Sequence, residues 1–321
     1  MIEARAPALI DIDECASEPN RPFGIITSDS PGTRQFDDGI AVTPLPCADE
    51  AYHVSVFAVD TSPLYHQDHI AERVVERART VYHDLGNGLR LRDPMLTPDI
   101  TQKLHFSAHN GVKRALVVSY IVGRTQPPQD TKISFGEVEV LNNYPYNTFG
   151  GMCRDRETFK RFGRAAAFIL GHLRPAVDGM DFEQIYDRLI HVPREQAWQR
   201  GENITKAFTI STNWLVAAST AAENSLAIYR TNFDTSETRS ATGQPKGRYS
   251  LTPGPHLGLQ LGVYSRVTSP LWRGEDFMMH GLLDARHQGR ALTARDESLA
   301  RRMIDRLNTF NTDQPQLAQA I

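Results

Sequence analysis

Three aspartates fall within ten residues in the stretch TSDSPGTRQFDDGIAV, Thr27 to Val42: Asp29, Asp37 and Asp38, with Pro31-Gly32 between them. Two unit negative charges ~4 Å apart repel by about 4 kcal/mol at an effective dielectric near 20. A fold that converges these side chains therefore needs a cation or a retained proton. Magnesium suits such a set, because it takes one or two protein carboxylates and keeps water and substrate phosphate as its other ligands. One magnesium ion is expected, with manganese as an alternative metal and a second ion left open. Taken alone, Asp-Ser-Pro-Gly also reads as a surface turn and Asp37-Asp38 as a solvated loop, since these are ordinary turn residues.

The elements that must position the acids follow from periodicity. Gly39 and the apolar Ile40-Ala41-Val42 predict a strand directly after Asp38. YHVSVFAVDTSP (52–63) and KRALVVSYIVG (113–123) carry β-branched and aromatic runs of buried strands, and the alternation in ISFGEVEVL (133–141) predicts a half-exposed one. In RETFKRFGRAAAFILGHL (156–173), Phe159, Phe162, Ala166, Ile169 and Leu173 recur at three and four, which predicts a helix. Further helices are expected in 209–230, in 274–286 and after Thr293 as N-cap. Strands dominate the first half and helices the second, so the expected class is a mixed α/β (α+β) fold rather than an alternating doubly wound one.

The 321 residues carry a formal net charge of −3, so no global basic field announces a polyanion and any such site must be local. Cys15, Cys47 and Cys153 are scattered and lack zinc-site spacing, which points to a reducing, cytoplasmic setting. The acidic start MIEARAPALIDIDECASEP is unlike a signal peptide, and no apolar run is long enough to span a membrane. The DIDE stretch at 11–14 reads as a solvated acidic turn.

The opening stretch resembles the metal-binding motif of the RNB family, the catalytic domain of ribonuclease II and ribonuclease R, at Asp29, Thr33, Phe36, Asp37 and Asp38. Similar blocks follow in family order at VSVFAVDTS, ERARTVYHDLGNGLRLRDPMLTPDI, KRALVVSYIVG and YSLTPGPHLGLQLGVYSRVTSPLWRGEDFMMHGLL. The resemblance divides the chain into an N-terminal extension (1–24), an RNB-like domain (25–290) with a mixed sheet core surrounded by helices, and a C-terminal helix and tail (291–321). It leaves no room for the cold-shock and S1 barrels that usually flank the domain.

The resemblance implies hydrolysis of RNA from its 3′ end by a metal-activated water. Asp29, Asp37 and Asp38 would be metal ligands, the last two also catalytic, and Tyr82 would stack on the terminal base. Thr268, Ser269, Pro270 and Asp276 match the block beside the scissile phosphate, with His280 and Leu283 on its helix. Two departures fall at the chemistry: Gln35 stands where the family has a second aspartate, and Trp272 where it has arginine. Gln35 offers only a neutral carbonyl oxygen. Removing one preorganised cationic donor from a site costs about 3–4 kcal/mol of transition-state stabilisation, so Arg273 or Arg266 must supply the charge.

Trp272 is read either as a planar platform for a base, worth roughly 1–3 kcal/mol, or as a packed hydrophobe. His256 is read as structural, and His280 as a helix partner of Asp276. The partner implied is RNA, either a single-stranded 3′ end or a tRNA, with no DNA and no membrane. Two alternatives accompany exonucleolytic hydrolysis: cleavage of an ester such as an aminoacyl link on tRNA, and RNA binding without catalysis.

Overall fold

The computed structural model describes residues 23–45, 50–86, 89–108, 110–173, 180–193, 196–232 and 247–313. Cys15, Cys47 and the DIDE stretch lie outside them. In chain order the first elements are strands β1 (Phe23–Asp29), β2 (Asp38–Pro44) and β3 (Ala51–Val59), then helices α1 (Ser62–Tyr65) and α2 (Asp68–Arg77). A hairpin follows, β4 (Val81–Gly86) with β5 (Leu89–Asp93), and then α3 (Pro98–Leu104) and the long strands β6 (Val112–Gly123) and β7 (Gln129–Pro145). The second half holds α4 (Tyr146–Asp155), α5 (Glu157–Leu173), α6 (Phe182–Ile190), α7 (Ala197–Ala222), the short strands β8 (Tyr229–Thr231) and β9 (Arg248–Ser250), α8 (Gly274–His287) and α9 (Ala294–Asp313).

β1, β2, β3, β6 and β7 close into a barrel in that order. Every neighbouring pair is antiparallel except the closing pair, in which β1 runs parallel to β7. Alternation along the strands divides the apolar side chains between two cores, as a period of two requires. Ile25, Phe57 and Val59 join the residues of α2, α8 and α9. Ile26, Val54 and Val56 join those of α4, α5 and α7. Among the described residues no helix is long and apolar enough to cross a membrane.

The expected strands and helices are present with shifted ends. The helix expected over 209–230 begins earlier, at Ala197, and stops at Ala222. Asn224, at φ +50°, takes the left-handed conformation that ends a helix, and the chain then enters β8. Thr293 caps α9 as expected: its hydroxyl accepts from the Asp296 amide at 3.3 Å, while its own amide donates to the Asp296 carboxylate at 2.8 Å. Leu299, Ala300, Met303 and Leu307 bury α9 in the same core as the barrel residues.

Candidate active site

The acidic motif spans the connection between two paired strands. Asp29 is the last residue of β1 and Asp38 the first of β2, and a tight turn between them closes with the Thr33 amide donating to the Ser30 carbonyl at 3.1 Å. Gly32 sits in that turn at φ +87°, a conformation that side-chain-bearing residues avoid. The Val59 amide donates to the Asp37 carbonyl at 2.8 Å, and the Phe106 amide donates to the Phe36 carbonyl at 2.9 Å. These main-chain bonds fix where Gln35 to Asp38 point.

Asp29, Asp37 and Asp38 are brought within electrostatic reach of one another and of Asp276 in the first turn of α8. Asp37 is 3 % exposed, and neither of its carboxylate oxygens has a hydrogen-bond partner; Oδ2 of Asp29 is in the same state. Burial raises Asp37 well above the ordinary carboxylate range, and the charge of Asp38 raises it further. Asp29 is raised by burial and then by Asp38. Burial lifts Asp38 to about 7 although Arg273 pulls the other way, and Asp276 is lifted to about 7 by the same opposition. Burial and like charge thus both favour the protonated forms of these acids.

The described residues contain no group of three Asp, Glu, His or Cys side chains within common ligating range. A cation at this place would therefore draw on fewer protein ligands, with water or substrate oxygens completing its shell, which is how magnesium is usually held. The buried oxygens without partners on Asp37 and Asp29 fit that role.

Arg273 reaches the acids. It is the N-cap of α8, in extended backbone at φ −128° and ψ 127°, so the 100° offset between neighbouring helical residues does not apply to it. The Thr80 amide donates to the Trp272 carbonyl at 2.9 Å and the Gly274 amide to the Ala78 carbonyl at 2.7 Å. A Cβ at position 274 would lie 2.6 Å from that Ala78 oxygen, so only glycine permits this approach. With the backbone so held, Arg273 Nε lies 3.2 Å from Asp276 Oδ2, and the Ser269 amide donates to Asp276 Oδ1 at 2.8 Å.

The two departures contact the hairpin and α3. Arg92 Nη2 donates to Gln35 Oε1 at 2.6 Å, and Gln35 Nε2 donates to Thr101 Oγ1 at 2.7 Å. The Arg92 guanidinium lies 4.3 Å from the Trp272 ring centroid, and the Tyr82 ring stacks on Trp272 at 6.3 Å and 26°. Tyr82 and Arg92 are cross-strand partners, so Trp272 lies across both. Trp272 is thus a packed, half-buried ring whose partners are Tyr82 and Arg92.

The other expected residues have protein partners. Arg266 lies 3.5 Å from Glu275, which also accepts from the Tyr249 hydroxyl at 2.7 Å. Thr268 is buried and accepts from Asn213 Nδ2 at 3.4 Å, while Asn213 Oδ1 accepts from the Val267 amide at 2.9 Å. His280 does not pair with Asp276. Its Nε2 faces the Val267 carbonyl at 2.8 Å and its Nδ1 the Thr61 amide at 3.4 Å, so a neutral ring locks α8 to the segment after β3. His256 packs edge-on against Tyr264, and burial lowers it to about 4.

Sequence reasoning missed Tyr146 and Arg92. Tyr146 opens α4 one residue beyond Pro145, the register partner of Asp29. Burial and then Asp29 raise its hydroxyl, so it remains a protonated donor beside the acids. Both residues come to the site through pairings that span more than fifty residues of sequence. The turn dipeptide Asn87-Gly88 was the one local signal that could have placed Arg92 on a hairpin.

No protein-family model matches the chain, and no curated protein matches it by sequence. Its shape is matched by several solved structures. RNase R of Mycoplasma genitalium, in complex with ribose-methylated single-stranded RNA, superposes with a TM-score of 0.71 at 15 % identity over 94 % of this chain. The Dss1 exoribonuclease of Candida glabrata, in an active-site mutant form, gives 0.70 at 16 % over 91 %. The chain has the RNB fold. Yeast Ssd1, described as a pseudonuclease, shares it with a TM-score of 0.69 at 13 % identity over 88 % of this chain. The chain spans 57 %, 44 % and 42 % of the lengths of these three RNB-fold chains.

Proposed function

We propose that the chain is a magnesium-dependent hydrolase that acts at the 3′ end of RNA, on a short or dedicated substrate such as a tRNA. The observation that carries this reading is the buried Asp37 carboxylate, with both oxygens lacking partners, among Asp29, Asp38 and Asp276 and facing Arg273. Of Asp29, Asp37 and Asp38, two would ligate the ion directly and the third through water. When bound, it supplies an activated water and neutralises charge at the phosphodiester. Arg273, held by Asp276, is placed to meet negative charge as it develops on phosphate oxygens, the role that preorganised cationic donors fill. The RNA complexes of RNase R with this fold support RNA as the partner.

The test follows a 5′-labelled oligoribonucleotide with magnesium and with chelator, beside the D37N/D38N variant. Shortening from the 3′ end is expected in magnesium alone. Shortening by the doubly substituted chain would overturn the reading. Release of the acyl group from a charged tRNA of unchanged length would select ester hydrolysis instead.

A second reading, RNA binding without hydrolysis, is favoured by Gln35: a neutral amide stands where the resemblance has a carboxylate, and its carbonyl oxygen already accepts from Arg92, which weakens the hold on a second ion. The shared fold of Ssd1 is consistent with it. RNA binding by the native chain with no turnover in any divalent metal, and no turnover gained in W272R, is its expected signature.

A further inference from the structure

Gln35 and Trp272 are two separate departures in the sequence, and the structure joins them through one residue, Arg92. Thr101 Oγ1 gives its proton to the Pro98 carbonyl at 3.0 Å, so the hydroxyl oxygen needs a donor on its other side. An amide at position 35 supplies that donor and still has a carbonyl for Arg92, whereas an aspartate has no N–H to give. An arginine at position 272 would set a second guanidinium against Arg92. A tryptophan there turns the same contact into a cation–π attraction.

We propose that Arg92 is a positioning residue that couples Gln35 and Trp272 into a single unit, and that this unit holds the Tyr82–Trp272 stack in place as the wall that receives the flat end of an RNA substrate. The inference rests on the RNA-end reading above. Arg92 is suited to the task because its plane covers the indole while its edge donates to Gln35, two contacts that a point-charge ammonium cannot make together. The cross-strand pairing of Tyr82 with Arg92 carries the effect to the tyrosine. The unit makes binding, not the chemical step, depend on Arg92.

Fluorescein-labelled hexa-adenylate, titrated against the full chain by anisotropy in chelator and in magnesium, tests this. R92A and W272A are each expected to weaken binding about tenfold. R92A/W272A is expected to match the weaker single variant, because one contact is lost either way. R92K is expected to behave as R92A. In magnesium, KM rises and kcat holds. Melting curves of each variant confirm that the compared proteins are folded, and R92K serves if R92A is not.

A loss of about a hundredfold in the double variant, rescue by R92K, or a fall in kcat at constant KM would each overturn the inference while leaving the RNA reading in place. Failure of the unsubstituted chain to bind the oligonucleotide would overturn the RNA reading itself.

Discussion

Helix α8 carries a buried carboxylate near each end, Asp276 in its first turn and Asp284 near its last, and their surroundings differ. Asp284 accepts from Gln288 Nε2 at 2.8 Å and from Arg290 Nη2 at 2.9 Å, and it faces His66 Nε2 at 3.2 Å. Its acceptors meet as many donors as they need. Asp276 is met by the main-chain amides of Ser269 and of its own residue and by Arg273, and it shares that guanidinium with Asp37 and Asp38; the Asp37 oxygens have no donor. Acceptors outnumber donors there, a costly arrangement in a protein interior. One end of the helix is satisfied by the protein alone, while the other is left short of positive charge, as the proposed metal and phosphate site requires.

Substitution of Arg273 should expose the difference most strongly. R273A is expected to lower the single-turnover rate on an oligoribonucleotide in magnesium by about a hundredfold or more, the effect of deleting one preorganised donor. RNA affinity should change far less, and an undiminished rate would remove Arg273 from the chemistry. The opposite pattern is expected at the other end of α8. D284A should cost about 1–2 kcal/mol of stability by releasing its donors, and leave the rate unchanged. Chemical denaturation and the same rate assay read both outcomes.

The smallest effect is a pH dependence. Asp38 and Asp276 keep their protons up to about pH 7 in the folded chain, whereas an unfolded chain releases them near the ordinary value of about 3.9. Between those limits the folded state binds more protons, so the contribution of both groups to stability falls as pH rises, and it levels off above their folded values. His256, lowered to about 4, works in the opposite sense below its unfolded value. The difference between the metal-free native chain and D38N isolates the acid. D38N is expected to gain melting temperature over the native chain as pH rises from 4 to 8, with no gain at the acid end. Magnesium should narrow the gap by stabilising the native chain more than D38N. A gap that is constant across pH would show that Asp38 does not titrate in this range.

Local features were legible in the sequence because local physics makes them. The turn at Pro31-Gly32 and the strand after Asp38 follow from residue types a few positions apart, and the apolar runs of β3 and β6 and the spacing in α5 carry their periods openly. Asp29, Asp37 and Asp38 could be named because one strand–turn–strand unit presents all three. Arg92 could not, since its bond to Gln35 spans 57 residues and no spacing rule links them. The place of Arg273 depended on whether position 273 was helical or extended, and main-chain pairing with the Ala78–Thr80 segment decides it. The end of α7 was missed because alanine-rich sequence favours continuing the helix, and the left-handed Asn224 outweighs it.

That main-chain pairing has a consequence for how the site tolerates change. The two bonds on either side of Arg273 belong to backbone amides and carbonyls, and the side chain at position 272 takes no part in them. Residue 272 is therefore an interchangeable fitting on a fixed mount. A change of side chain there is expected to leave the neighbouring guanidinium aimed at the carboxylates while altering the contact with Arg92, which makes this position a natural place to retune the scaffold by exchanging one side chain.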